Sequence, residues 1–226
     1  MIRKVVATGD GSTTIKIVDW DEQYHSMHGA IQEAEHVFIK TGLEHWYALN
    51  SDKHELHILE IGFGTGLNAL LTIIHSVNKP IEVYYEGVEA YPVDKKEVDQ
   101  LNYVNQLQKP EYKTLFAQMH SRKWGQSEAI APRFHLKKTE QHFENLKGNL
   151  NFDLLYFDAF GAQVQPELWS VAIFREMFNS LKKGGVLVTY SAKGSVRRAM
   201  QEVGFIVERL PGPPGKREML RATKNQ

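Results

Sequence analysis

Short apolar runs alternate along the chain with longer stretches in which apolar side chains recur every three or four positions. The first pattern predicts strands and the second predicts helices. Val5, Val6 and Ala7, the turn Gly9-Asp10-Gly11-Ser12 and the segment Thr13 to Val18 predict a β-hairpin, with Asp10-Gly11 as a tight-turn pair. Residues 29–49 predict a largely helical segment with Ala30, Ala34, Val37 and Phe38 on one side. A strand from Glu55 to Ile61 ends in a glycine-rich turn, and a helix follows from Leu67 to Val77. Glu82 to Val88 reads as a second strand, and residues 92–124 as a polar helical region interrupted by Pro110. Phe134 to Lys138 is a short strand and Gln141 to Leu146 a short helix; Phe152 to Phe157 is the most apolar strand. Pro166 to Leu181 reads as a helix closed by Lys182, Lys183 and a C-capping Gly184-Gly185. Val186 to Tyr190 is a strand, and Ser195 to Val203 a helix ending at Gly204. Phe205 to Leu210 and Glu218 to Thr223 form a closing antiparallel pair across a Pro/Gly loop. Strands that alternate with helices predict a mostly parallel α/β sheet.

Composition narrows the class. The chain has 226 residues and is 42% hydrophobic, enough for one α/β domain with a modest extension and a sizeable core. It has no cysteine, which excludes disulfides and thiolate metal sites. No run approaches the length of a membrane span. Met1 to Asp10 lacks the apolar core of a signal peptide, so a cytoplasmic location is expected. The net charge is zero. Nucleic-acid binding then requires that basic residues gather on one face or that a partner helps.

The strongest local signal is Glu60-Ile61-Gly62-Phe63-Gly64-Thr65-Gly66-Leu67-Asn68, between a predicted strand and a predicted helix. Glycines there let the backbone approach a ligand closely. The dinucleotide fingerprint wants its third glycine where Leu67 stands, and no Gly-Lys-Ser/Thr of a phosphate-binding loop is present. The spacing is instead that of S-adenosylmethionine enzymes, which makes Gly62, Phe63, Gly64, Thr65, Gly66 and Asn68 candidate cofactor residues. Glu89 ends the next strand, where a carboxylate can accept both ribose hydroxyls of an adenosine. The fold expected from this loop and the closing hairpin is a class I methyltransferase domain. It is Rossmann-like, with a mostly parallel seven-stranded sheet over residues 51–226, and a hairpin-and-helix extension precedes it over residues 1–50.

Asp158 follows the apolar strand at its carboxyl end, the edge at which open α/β sheets bind ligands. Asp158-Ala159-Phe160 loosely imitates the acidic-then-aromatic arrangement of amine methyltransferases. Positive charge appears on an amine nitrogen as it takes a methyl group, and a fixed carboxylate stabilises that charge. With an ordinary pKa of about 3.9, Asp158 is expected to orient the amine rather than remove its proton. Asp153 is expected to be structural.

The chain resembles the methyltransferase domain of the bifunctional tRNA 5-methylaminomethyl-2-thiouridine biosynthesis protein. Matching stretches include Tyr24-His25-Ser26, Glu60 to Asn68, Glu89-Ala90-Tyr91-Pro92, Phe157-Asp158-Ala159-Phe160 and Pro166-Glu167-Leu168-Trp169. More specific are Ser195-Val196-Arg197-Arg198 and Gly215-Lys216-Arg217-Glu218-Met219-Leu220. The resemblance implies N-methylation of 5-aminomethyl-(2-thio)uridine at the tRNA wobble position, with S-adenosyl-L-methionine as donor. It implies that Glu60, Gly62, Gly64, Gly66 and Glu89 hold the cofactor, that Asp158 lies beside the transferred methyl, and that Tyr24 and Ser26 lie near the reactive end. His25 stands where the family has an aromatic, and Thr139-Glu140 replaces the usual Gly-Asp at the adenine. The flavin-dependent oxidase domain of bifunctional members does not follow before Gln226, so a stand-alone enzyme without flavin is expected.

Lys193, Arg197, Arg198, Lys216 and Arg217 lie after late strands and are candidates for tRNA phosphates, with Lys216-Arg217 presented by the Gly/Pro loop. The ten histidines include no H-E-x-x-H, so no metal is expected. The alternative enzyme is a small-molecule amine methyltransferase or aminopropyltransferase. A silent Rossmann-like scaffold is the reading from another class.

Overall fold

The computed structural model describes residues 2–148 and 151–225. At the N-terminus β1 (Arg3–Ala7), β2 (Thr13–Ile17) and β3 (Glu22–Gln23) form a small antiparallel sheet. Its first turn closes with Gly11 at φ +81°, a conformation glycine adopts without penalty. Residues 30–49 are helical throughout, as α1 (Ala30–Ala34), a π-helical stretch (Glu35–Leu43) and α2 (Glu44–Leu49). Within the π stretch the Thr41 hydroxyl donates to the Val37 carbonyl, which gives the ladder an alternative partner.

The main sheet takes β4 (Glu55–Ile61), β5 (Glu82–Glu89), β6 (Ser127–Ala131), β7 (Phe134–Glu140), β8 (Phe152–Phe157), β9 (Leu181–Thr189), β10 (Ile206–Pro211) and β11 (Glu218–Thr223). The order is β10-β11-β9-β8-β4-β5-β7-β6. β9, β8, β4, β5 and β7 run parallel, while β10, β11 and β6 are antiparallel to their neighbours. α3 (Leu67–Ser76) follows the glycine loop, and α4 (Lys95–Val98), α5 (Tyr103–Gln106) and α6 (Lys113–Ser121) occupy the polar region. α7 (Val171–Ser180) and α8 (Gly194–Glu202) pack on each other.

Both faces of the sheet are cored, so central strands are apolar on successive residues. In β8, Leu154 and Tyr156 enter one core with Phe38, Leu70 and Tyr85, while Leu155 and Phe157 enter the other with Phe174, Met177 and Met200. Asp158 is the first residue past this strand.

Four expectations need amending. Among the described residues the sheet has eight strands rather than seven. The additional β6, Ser-Glu-Ala-Ile-Ala, is a bulged edge strand with only Ile130 buried, so its pattern is faint. Gly184-Gly185 does not cap a helix. Leu181 is already extended at φ −82° and ψ 141°, and the glycines lie inside β9 at a register shift against β8. The strand expected to stop at Lys138 continues to Glu140, and only a 3-10 turn (Phe143–Asn145) follows where a helix was expected. Among the described residues no helix is long and apolar enough to cross a membrane.

Candidate functional site

A cavity of about 450 Å³ opens at the carboxyl ends of β4, β5 and β8, within the size range of ligand pockets. Its floor is the glycine loop. The amides of Gly62 and Phe63 both donate to the Val88 carbonyl, at 2.9 and 3.0 Å, and the Gly64 amide donates to Glu89 Oε2 at 2.9 Å. Gly62 has φ +92°, and a Cβ on it would stand 2.6 Å from the Asp158 carbonyl oxygen. A Cβ on Gly64 would stand 2.9 Å from the Tyr24 ring. No larger residue fits this crossing of the two strand ends. Gly66 turns away from the cavity toward His120 as the N-cap of α3. Phe63 and Thr65 line the cavity.

Asn68 joins the acidic residues. Its Nδ2 donates to Glu60 Oε1 at 2.8 Å and to Asp158 Oδ2 at 2.9 Å, while its buried Oδ1 has no partner among the described residues. Glu60 lies beneath Asn68, fully buried and outside the cavity lining. Burial holds its carboxyl well above the usual range. Glu60 therefore bears on the pocket through Asn68 rather than by touching a ligand. Asp158 faces the cavity, and burial, with Glu33 reinforcing it, raises its carboxyl to about 7; the Asn68 hydrogen bond and Lys216 oppose the rise.

The N-terminal extension supplies a wall. Tyr24 packs edge-on against Phe160, with centroids 5.0 Å apart, and Ser26 lines the cavity beside it. His25 is buried with Nε2 2.7 Å from Thr65 Oγ1, and burial lowers it to about 4, so the ring is neutral. It contacts Tyr103 edge-on, the place an aromatic would take, and ties the extension to the glycine loop. Lys216 reaches in from the opposite end of the chain to pair with Glu33, its ammonium 3.9 Å from the centre of the Tyr190 ring.

At the other end of the cavity Glu89 accepts from the Gly64 and Tyr91 amides. The residues beside it are Ala90, Tyr91, His142, Phe143 and Glu144. Thr139 and Glu140 are absent from this lining, contrary to expectation. The Thr139 hydroxyl donates to Glu86 across the sheet, and Glu140 is exposed at the strand end. Because β7 runs to Glu140, the chain reaches the pocket edge only afterwards; Lys138, Thr139 and Glu140 are all polar, so no apolar alternation signals the last residues of the strand.

The basic candidates divide. Lys193 donates to Gln163 at the rim, and Arg198 and Arg217 are exposed. Arg197 is half-buried with its Nε enclosed and without a partner among the described residues. Lys216, expected at the surface, is turned into the pocket because the buried Glu33 carboxylate draws it there. Among the described residues no group of three or more His, Asp or Glu is placed to hold a metal.

A family model described as S-adenosyl-L-methionine-dependent methyltransferase matches residues 102–225. The tRNA 5-methylaminomethyl-2-thiouridine biosynthesis bifunctional protein MnmC of Aromatoleum aromaticum is 30% identical over 222 residues, covering 88% of this chain and 32% of that protein. The protein of the same description from Actinobacillus pleuropneumoniae is 28% identical, covering 92% and 33%. The chain thus spans about a third of the length of the curated relatives it matches. Among solved structures, MNMC2 from Aquifex aeolicus superposes with TM-score 0.76 at 23% identity, over 100% of this chain and 71% of that one. Spermidine synthase from Thermotoga maritima gives 0.56 at 13%, over 98% and 73%, a likeness of fold alone.

Proposed function

The chain belongs to the S-adenosyl-L-methionine-dependent methyltransferase family, and from that premise we propose that it methylates the primary amine of 5-aminomethyl-(2-thio)uridine at the tRNA wobble position. The observation that carries this reading is Asp158, a cavity-facing carboxyl raised to about 7 and oriented by Asn68. A carboxylate of that basicity beside a cavity suits an amine that arrives as an ammonium and must give up a proton before its nitrogen has a lone pair to take the methyl group. The printed names of the bifunctional relatives supply the tRNA context.

The residues present fit the cofactor. Gly62 and Gly64, without a Cβ, let the Asp158 carbonyl and the Tyr24 ring close onto the loop that borders the cavity, and Asn68 Oδ1 is a buried acceptor without a donor among the described residues. Glu89 would take the ribose hydroxyls with the lone pairs left over from two amides. Tyr91, His142 and Phe143 would flank the base. S-adenosyl-L-methionine supplies an electrophilic methyl group on a sulfonium. Asp158 would orient the nitrogen, stabilise the charge that grows on it and accept its proton. The expectation that Asp158 only orients the amine rested on an ordinary pKa, which burial removes. Lys193, Arg198 and Arg217 would meet tRNA phosphates around the mouth.

Incubation of purified protein with labelled S-adenosyl-L-methionine and tRNA carrying the 5-aminomethyl group, followed by mass spectrometry of the wobble nucleoside, tests the proposal. A gain of one methyl on that base is expected. Transfer to free small amines with none to tRNA would overturn it in favour of a small-molecule enzyme.

A further inference from the structure

Glu33 is a buried carboxylate on the cavity wall. One of its oxygens accepts the Ser26 amide at 2.8 Å, and the other takes the Lys216 ammonium. The same ammonium lies over the face of Tyr190, 3.9 Å from the ring centre. Tyr190 is itself fixed, because its hydroxyl donates to the Ala159 carbonyl at 2.8 Å and its ring packs against Trp169. A carboxylate and a ring face are thus held in place by groups other than the lysine. Together they make an ammonium site, since a ring face attracts cations and a charged acceptor binds them strongly. The neighbouring Asp158 senses both members of the pair, Glu33 raising its carboxyl and Lys216 lowering it.

We infer that Glu33 and the face of Tyr190 are the subsite that receives the primary ammonium of the substrate, and that Lys216 occupies it until that ammonium displaces it. This rests on the proposed function and names the part of the pocket that reads the amine. Three physical points carry it. First, the site already holds an alkylammonium, so its chemistry is demonstrated by its occupant. Second, the exchange conserves charge: one cation replaces another, and Glu33 is never left buried and unpaired, a costly state. A neutral hydroxymethyl group offers no such compensation, so the site selects amines. Third, the occupant is built to leave. Lys216 sits on a flexible stem after Pro213-Pro214-Gly215, its side chain 31% exposed against 8% for Glu33.

Two measurements decide the matter. Protein with lysine labelled at Cε is observed by NMR in the presence of S-adenosylhomocysteine, with the Lys216 signal assigned through Lys216→Met. 5-Aminomethyluridine is expected to shift that signal, and 5-hydroxymethyluridine to leave it in place. An unmoved signal at the highest soluble concentration of the amine overturns the inference. In turnover with aminomethyl tRNA, Glu33→Gln should raise KM roughly ten- to a hundred-fold, the size of a lost hydrogen bond to a charged group, with cofactor affinity by calorimetry unchanged. Lys216→Met, which removes the competing ammonium, should lower KM, and the double variant should keep the Glu33→Gln defect. A double variant restored to wild-type KM would make the pair a structural strut and overturn the inference. If the wild type fails on every aminomethyl tRNA while the Lys216 signal still responds to the nucleoside amine, the proposed function falls and the subsite stands.

Discussion

An isolated aspartate releases its proton near pH 4 and is a poor acceptor for an ammonium proton. Asp158 differs because burial raises it to about 7, with Glu33 adding to the rise and Asn68 and Lys216 opposing it. Methyl transfer by the free enzyme should therefore gain rate as pH rises through about 7, and Asp158→Ala should lower kcat by roughly 10²–10⁴-fold while calorimetric cofactor binding falls far less. The same shift has a stability sign. Between about pH 4 and 7 the folded chain holds a proton that the unfolded chain releases, so stability is lost as pH rises through that window. Asp158→Asn removes the loss. It should be more stable than wild type above pH 7, by on the order of 1–3 kcal/mol, with the gap closing toward pH 4 in thermal melts. Gly62→Ala tests the loop backbone: a Cβ would meet the Asp158 carbonyl at 2.6 Å. It should cost about 1–3 kcal/mol in denaturant unfolding and abolish measurable cofactor binding.

The N-terminal sheet and helix show how one segment becomes part of a site. Asp10, in the first turn, accepts the amides of Ser12 and Gln32 at 3.0 Å each and the Thr8 hydroxyl at 2.9 Å. Asn102, from the region between β5 and β7, receives the Thr13 amide and donates to the Gly11 carbonyl, which docks the hairpin on the main body. Burial pushes Asp10 up, but the hydrogen bonds outweigh it and leave its pKa lowered. Its contribution is present above the unfolded value of 3.8 and is lost as pH falls through the folded value. Asp10→Ala should destabilise the chain by about 1–3 kcal/mol at neutral pH, less in acid, and weaken cofactor binding because the wall carrying Tyr24 and Ser26 loosens. Denaturant titrations at pH 7 and below pH 4 check this. The hairpin, β4, α3, β5 and β8 were readable from apolar spacing and turn residues. The edge strand β6 was not, because an edge strand with one buried residue carries little pattern.

Across the entire fold, charge sums to zero, and its placement decides what it does. Lys193 and Arg198 sit at the N-cap and inside α8, and Arg217 follows the Gly/Pro loop. Each alanine variant should weaken tRNA binding uniformly across sequences and reduce the magnitude of the slope of log affinity against log salt by about 1. Filter binding over a salt series measures it; an unchanged slope in all three variants would place the phosphates on another face. Lys216 is left out of this set because in the free protein it pairs with Glu33 inside the pocket.

Local signals were enough for the parallel sheet, the glycine loop, the acidic strand ends at Glu89 and Asp158, and the closing hairpin. Each depends on a few consecutive residues, whose spacing, turn chemistry and apolar content are properties of the chain before it folds. Long-range proximity set the rest. The pairing of Glu33 with Lys216, the neutral state of His25, the basicity of Asp158 and the turn of Thr139 toward Glu86 all need residues far apart in sequence to be brought together. A side chain's pKa and its direction depend on desolvation and on neighbours across strands, and neither exists until the core has closed.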